Sequence, residues 1–286
     1  MHFFMILTAL ALAVILRLLK LPIGKNWRQR WHRSLFVFLL PPLLLLMTVS
    51  SILCMGPQGH MLGLQASWLS YLLAGFFVGI AIILLLKLTY LGYLCERQVR
   101  EYSQQLVAGK MARILEIDFP YSAQIGFWHS ELVVSRGLLN SLDREHLKAV
   151  LAHEQAHYYY RDTFYFFWLS WLRSLTAWLP NTDTLWQELL LLREMRADAW
   201  AAERIDALLL AESLVIVAKN AIESDDLNFS DDFCAALSCS VPRDRLAERI
   251  DALLSQPNLL PSSSYYWYLS SIFFALLPLT MVPFHY

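Results

Sequence analysis

The strongest constraint on this chain is a set of apolar runs, each long enough to cross a bilayer. A span needs about 20 mostly apolar residues. Four stretches meet that length: Met1 to about Leu19, about Ser34 to Cys54, about Ser67 to Leu86, and about Tyr265 to Phe284. Pro41 and Pro42 lie inside the second and predict a kink or a delayed start. Tyr265, Tyr266, Trp267 and Tyr268 open the fourth as an aromatic belt. The first run is read as a retained span and not a signal peptide, because its basic residues follow the apolar stretch and no small-residue cleavage site stands out. Composition agrees: 57% of residues are hydrophobic and 16% charged, against roughly half and a quarter in soluble chains.

Basic residues orient the spans. Arg17, Lys20, Lys25, Arg28, Arg30 and Arg33 cluster between the first and second runs, whereas residues 55–66 carry no Lys or Arg; Lys87, Arg97 and Arg100 follow the third run. Positively charged loops stay inside, so residues 88–264 are expected on the cytoplasmic side. The chain thus divides into a three-span membrane region (1–87), a cytoplasmic-side domain (88–264) and a closing span (265–286). Within the domain, 223–232 reads as a solvated acidic loop and 255–264 as a linker. The formal net charge of −1 gives no electrostatic case for nucleic acid. The spans carry almost no ionisable residues, which argues against a transporter. The cysteines, Cys54, Cys95, Cys234 and Cys239, form no CxxC pair and read as free thiols.

Inside the domain, residues 111–118 and 124–134 read as short strands. A helix follows, capped by Ser141 or Asp143 and running to about Tyr160 on the periodicity of Leu147, Val150, Leu151 and His157. A second helix is expected after Pro180, with Thr184 and Gln187 as a capping box, and a last amphipathic helix from Arg243 to about Leu254. The domain is α+β with helices dominant. Residues 163–180 are apolar enough to suggest a further span. One crossing there would put residues 153 and 194 on opposite sides of the membrane, so interfacial packing is expected instead, with Arg173 snorkelling.

The first domain helix carries His153-Glu154-Gln155-Ala156-His157. Histidines at i and i+4 project from one face and can reach one ion, and the glutamate after the first can touch a water at that ion without ligating it. In this reading zinc lowers the water's pKa and polarises a carbonyl, while Glu154 takes the water's proton and returns it to the leaving amine. A catalytic zinc needs a third protein ligand and one open position. Glu194 on the second helix supplies the ligand, and Asp198, one turn later, can accept a hydrogen bond from a ligand imidazole. A metzincin would need Gly at 160 and His at 163, where this chain has Tyr160 and Thr163. The motif follows a charged stretch and no Asp-Gly pair occurs, which excludes the intramembrane site-two pattern.

HEQAH, Arg161-Asp162 and the stretch from Glu194 to Asp198 together resemble the membrane-embedded gluzincin metallopeptidases, among them the HtpX-type quality-control proteases and the BlaR/MecR-type antibiotic sensor-transducers. The resemblance covers about residues 120–254. It implies a zinc peptidase on the cytoplasmic side of a bacterial membrane, with His153, His157 and Glu194 as ligands, Glu154 as base, and a protein or peptide as substrate. Two departures stand out. The BlaR/MecR type carries an extracellular penicillin-binding domain after the last span, where this sequence stops at Tyr286, so sensing β-lactams that way is not expected. The HtpX type often carries His-Pro where this chain has Val241-Pro242, which leaves no side chain to name for the oxyanion. Tyr158, Tyr159 and Tyr160 read as packing or interfacial residues, and His129 and His146 as surface positions. A non-catalytic scaffold that kept its zinc is the main rival. It is disfavoured because structural zinc is normally closed by four protein ligands.

Overall fold

The computed structural model describes residues 2–19, 27–61, 64–223, 245–255 and 273–284. Helices dominate. The chain forms two compact units, one of Met1–Lys87, Trp171–Leu189 and Pro261–Tyr286, the other of Leu88–Ser170 and Leu190–Leu260.

The first unit is built on α1 (His2–Leu18), α2 (Trp27–Met55) and the apolar part of α3 (Trp68–Glu101). Two of these, α2 and α3, are long and apolar enough to cross a membrane, while α1 is a shorter apolar helix. Between α2 and α3, His60–Met61 (β1) pairs with Leu64–Gln65 (β2). Of the fourth apolar run only residues 273–284 are described: one helical turn, then a 3-10 helix, Leu277–Phe284. Its aromatic belt lies outside the described residues.

The proline pair neither breaks α2 nor delays it, since the helix begins well before Pro41 and runs on to Met55. Proline has no N–H, so Pro42 leaves the carbonyl of Phe38, four residues earlier, without its helical donor. Arg17 at the end of α1 fills that gap. Its Nη2 donates to Phe38 O at 3.2 Å, and its guanidinium lies 5.1 Å from the Phe38 ring centre. A neighbouring helix that re-satisfies a freed carbonyl is what lets proline sit within an apolar span. Asn181 donates to Arg17 O at 2.9 Å.

The second unit holds a four-stranded sheet in the order β3-β4-β6-β5, formed by Gln104–Val107 (β3), Lys110–Leu115 (β4), Ser122–Ile125 (β5) and Glu131–Ser135 (β6). β4 and β6 run parallel and the other pairs antiparallel. The expected strand 124–134 is therefore two strands. Gly126 splits them with φ +136, and a Cβ there would sit 2.5 Å from His129 O. One face of the sheet (Ala112, Ile114, Leu132, Val134) packs against Leu138 of α4 (Arg136–Ser141) and against Val150 and Leu151.

Those last two belong to α5 (Arg144–Tyr160), whose N-terminus is held by Asp143, accepting from the amides of Glu145 and His146 at 3.0 and 2.9 Å. Arg161 ends α5 in a left-handed conformation, φ 52, and α6 (Asp162–Leu175) starts at once. At 14 residues, α6 is too short for a span, and Phe166, Phe167, Leu169, Leu172 and Leu175 are buried.

The next helix, α7 (Thr182–Ala202), starts two residues before the expected capping box. The box does not form because the preceding turn closes earlier: Asn181 takes φ 58, and the Thr182 hydroxyl lies within 2.9 and 3.0 Å of the carbonyls of Thr176 and Leu179. α8 (Ala207–Glu223) and α9 (Leu246–Leu254) complete the unit. The expected start of α9 at Pro242 and Arg243 lies outside the described residues. Cys54 is a free thiol, but Cys95 is buried and disulfide-bonded, which corrects the expectation of free thiols throughout.

Replacing Arg17 with Met should lower stability by about 1–3 kcal/mol, the cost of an unpaired buried carbonyl. Pro42→Ala restores the helical donor, so the double variant should recover much of that loss. A double-mutant cycle on detergent-solubilised protein, read by thermal unfolding, checks it; simple additivity would remove the link between the two residues.

Candidate metal centre

Two helices of the second unit build the site. On α5, His153 and His157 are one turn apart with ring centres 4.8 Å from each other. On α7, Glu194 comes up from the other side. The three residues each offer one donor atom, and these atoms lie within 4.8 Å of one another. The closest approaches are tighter: His153 Nε2 is 3.1 Å from His157 Nε2 and 3.2 Å from Glu194 Oε2, and His157 Nε2 is 3.6 Å from Glu194 Oε1. Donors at bond lengths of about 2.0–2.1 Å around a tetrahedral ion would be about 3.3–3.4 Å apart, which these separations bracket.

Charge behind the donors tells the same story. His153 Nδ1 is 2.8 Å from Asp198 Oδ1, and His157 Nδ1 is 2.7 Å from Asp162 Oδ2. Each carboxylate favours a proton on the Nδ1 it faces, so the two Nε2 lone pairs point at one another and at the Glu194 carboxylate. Three electron pairs converging in a buried space repel unless a proton or a metal cation sits between them, and a set of two imidazoles and a carboxylate is one that fits a divalent metal.

Each carboxylate is in turn held by an arginine. Arg249 of α9 grips Asp198 with Nε–Oδ2 at 2.8 Å and Nη2–Oδ1 at 2.9 Å, and its Nη1 is 3.6 Å from Glu194 Oε2. Arg196 donates to Asp162, and its guanidinium lies 4.3 Å from the Tyr160 ring centre. Arg193 reaches Glu194 Oε1 at 2.8 Å. These contacts set the titration. Burial pushes the Glu194 carboxyl up, yet Arg193 and His157 hold it well below the usual range. Burial likewise works against Asp198, and Arg249 and His153 keep it low. Burial pulls His153 down, but Asp198 and Glu194 override it and push the imidazole up to about 10.

Glu154 is buried beside this set without joining it. The hydroxyl of Ser122, on β5, donates to Glu154 Oε1 at 2.7 Å, which orients the carboxylate and leaves its second oxygen available.

All the residues singled out in the sequence, His153, His157, Glu154, Glu194 and Asp198, come together here. Sequence spacing did not reveal the roles of Asp162, Arg249 or Ser122. Asp162 is five residues from His157, outside helical periodicity, and reaches its ring only because Arg161 breaks the helix between them. Arg249 and Ser122 are far away in the chain and carry no motif. Of the residues read as peripheral, Tyr158, Tyr159 and His129 are exposed. His146 is half-buried, with Nδ1 2.8 Å from Asp143 Oδ1.

A metal must displace the proton that the raised pKa keeps on His153 in the metal-free protein. Apparent zinc affinity should therefore rise with pH, about tenfold per unit for each proton displaced, and level off as the His153 pKa of about 10 is passed. Competition with a chromogenic chelator between about pH 6 and pH 8 reads the slope. Asp198→Asn should cost about 10–100-fold in affinity.

Compared with known proteins, residues 111–190 match the family model described as Peptidase family M48, a match that takes in β4 to β6 and all of α5 and ends just before Glu194. No curated protein matches the chain.

Proposed function

We propose that the chain, whose residues 111–190 match the family model described as Peptidase family M48, is a zinc endopeptidase of the gluzincin type embedded in a bacterial membrane, cutting protein substrates at or near the bilayer. The observation that carries this reading is the convergence of His153, His157 and Glu194 with a separate, oriented carboxylate, Glu154, at their side.

A bound zinc ion supplies Lewis acidity, polarising a carbonyl and bringing the pKa of a water to about 7. The chain's own residues do the rest. Glu154 accepts the proton of the attacking water through the oxygen that Ser122 leaves free, then returns it to the leaving amine. Asp198 and Asp162 fix the imidazole tautomers, and Arg249 and Arg193 offset the buried negative charge. β5 ends the described sheet, so an extended substrate can add alongside it as a further strand, which brings a peptide bond past Ser122 to Glu154. Three protein donors among the described residues favour a working site over a structural one.

The membrane part of the proposal draws on α3. Trp68, Leu69, Leu72, Phe76, Ile83 and Leu86 are exposed along it, and an apolar face of that length is what lipid covers. The proposal retains four spans and places the peptidase unit on the cytoplasmic side, following the basic-residue bias. One observation favours the opposite sidedness: Cys95 is disulfide-bonded, and disulfides persist in oxidising compartments.

Glu154→Gln should keep stoichiometric zinc while lowering peptide cleavage at least about 10³-fold, in keeping with the loss of a general base. Metal analysis and cleavage-product comparison on the same preparation measure both, and retained turnover would refute the assignment. Sidedness is read at Cys54, which is exposed and free near the end of α2. A membrane-impermeant maleimide should label it in intact cells. Labelling only after lysis would place the peptidase unit outside.

A further inference from the structure

A cavity of about 330 Å³ lies in the second unit against α5, the helix that also carries His153 and His157, within the size range of binding pockets. Its walls mix polar groups with apolar ones, Met111, Ala112 and Leu132 among the latter. Leu151, Gln155 and Tyr158 line it from α5, Lys110 from the start of β4, Gln104 from β3 and Gln124 from β5. On β5, Gln124 stands two residues from Ser122, so their side chains leave the same face of the strand about 7 Å apart. Ser122 touches Glu154 and Gln124 lines the cavity. A substrate strand laid along β5 with its scissile bond at Glu154 therefore brings a side chain about two residues away to this opening.

Lys110 sets the sign of the charge. Its ammonium donates to Gln155 Oε1 at 2.6 Å and to Leu151 O at 2.9 Å. An ammonium has three donors, so one is left over. Among the described residues no carboxylate lies within ion-pair distance of Lys110. The other cation at the cavity, Arg113, is neutralised by Glu131 at 2.5 Å and spends further donors on the carbonyls of Arg100 and Tyr102 at 3.1 and 2.9 Å. Lys110 thus carries a positive charge with no direct ion-pair partner among the described residues, acted on by the Glu154 carboxylate at longer range, and amide groups able to bind a carboxylate surround it.

We propose that this cavity is a substrate subsite that selects an acidic side chain about two residues from the bond cut, with Lys110 as its specificity-determining residue. The reading rests on the peptidase function proposed above.

The test uses the full chain in detergent with zinc bound. The probes are quenched-fluorescent peptides of Ala, Leu and Phe, carrying a single Glu or a single Lys at each of three positions on either side of the cut. At one position Glu should exceed Lys in kcat/KM by about tenfold or more, as expected for an ion pair worth about 1.4 kcal/mol. Lys110→Glu should invert that ratio and Lys110→Arg should preserve it. An equal preference at every position, or a ratio unmoved by charge reversal, overturns the subsite. Binding gives a separate readout. The Glu154→Gln chain should hold the Glu peptide more tightly than the Lys peptide by fluorescence anisotropy, and Lys110→Glu in that background should reverse the order. If no peptide is cut, the peptidase reading fails, and the anisotropy ratio still decides the subsite: reversal supports it and an unchanged ratio overturns it.

Discussion

Three electron-rich atoms meeting in a space with little water is the condition on which the second unit depends. His153, His157 and Glu194 bring their donors within 4.8 Å of each other, a repulsive arrangement for neutral imidazoles and a carboxylate alone. The surroundings make sense as an answer to that problem. Two carboxylates stand behind the imidazoles, and three guanidiniums stand behind the carboxylates. Burying so many charges is tolerable only where each is paired. Adding Glu194 and Glu154 makes four carboxylates against three arginines, which leaves a net negative charge for a cation to offset. Arg249 shows how far the arrangement extends: the last described helix of the unit holds Asp198 and faces Glu194.

The first unit solves a different problem with similar means. A proline pair in the middle of an apolar helix frees carbonyls that lipid cannot satisfy. A buried arginine is equally out of place there. Arg17 Nη2 meets the Phe38 carbonyl, so the freed carbonyl gains a donor, while Nε and Nη1 of the same guanidinium stay buried without a hydrogen-bond partner. The exposed apolar face of α3 presents the opposite case: its side chains have no protein partner along most of the run, and a bilayer is the surroundings that suit them.

Between sheet and helix the chemistry becomes directional. β5 is an edge of the described sheet, Ser122 ties that edge to Glu154, and Gln124 carries it on to a cavity that the Lys110 ammonium also lines. In the proposed function the same strand orients Glu154 and sets the distance to a substrate side chain two residues away. This follows from the two-residue period of a strand and requires no moving part.

The three possible metal donors and the carboxylate beside them were legible in the sequence because local helical geometry delivers them: residues at i and i+4 share a face whatever else the chain does, and Glu194 and Asp198 repeat that spacing. The two apolar helices were legible for a comparable reason, since length and hydrophobicity suffice to identify them. What depends on the third dimension could not be read. Asp162 finds His157 only because Arg161 adopts a left-handed conformation and turns the chain. Thr184 loses its expected cap because Thr182 closes the preceding turn first. Arg17 meets Phe38, Arg249 meets Asp198 and Ser122 meets Glu154 across 21, 51 and 32 residues of chain, separations for which no local periodicity exists. Sequence alone determined which donors were present and on which helices. Only tertiary packing decided which charges stand behind them, because partners so distant along the chain are chosen by the need to pair each buried charge.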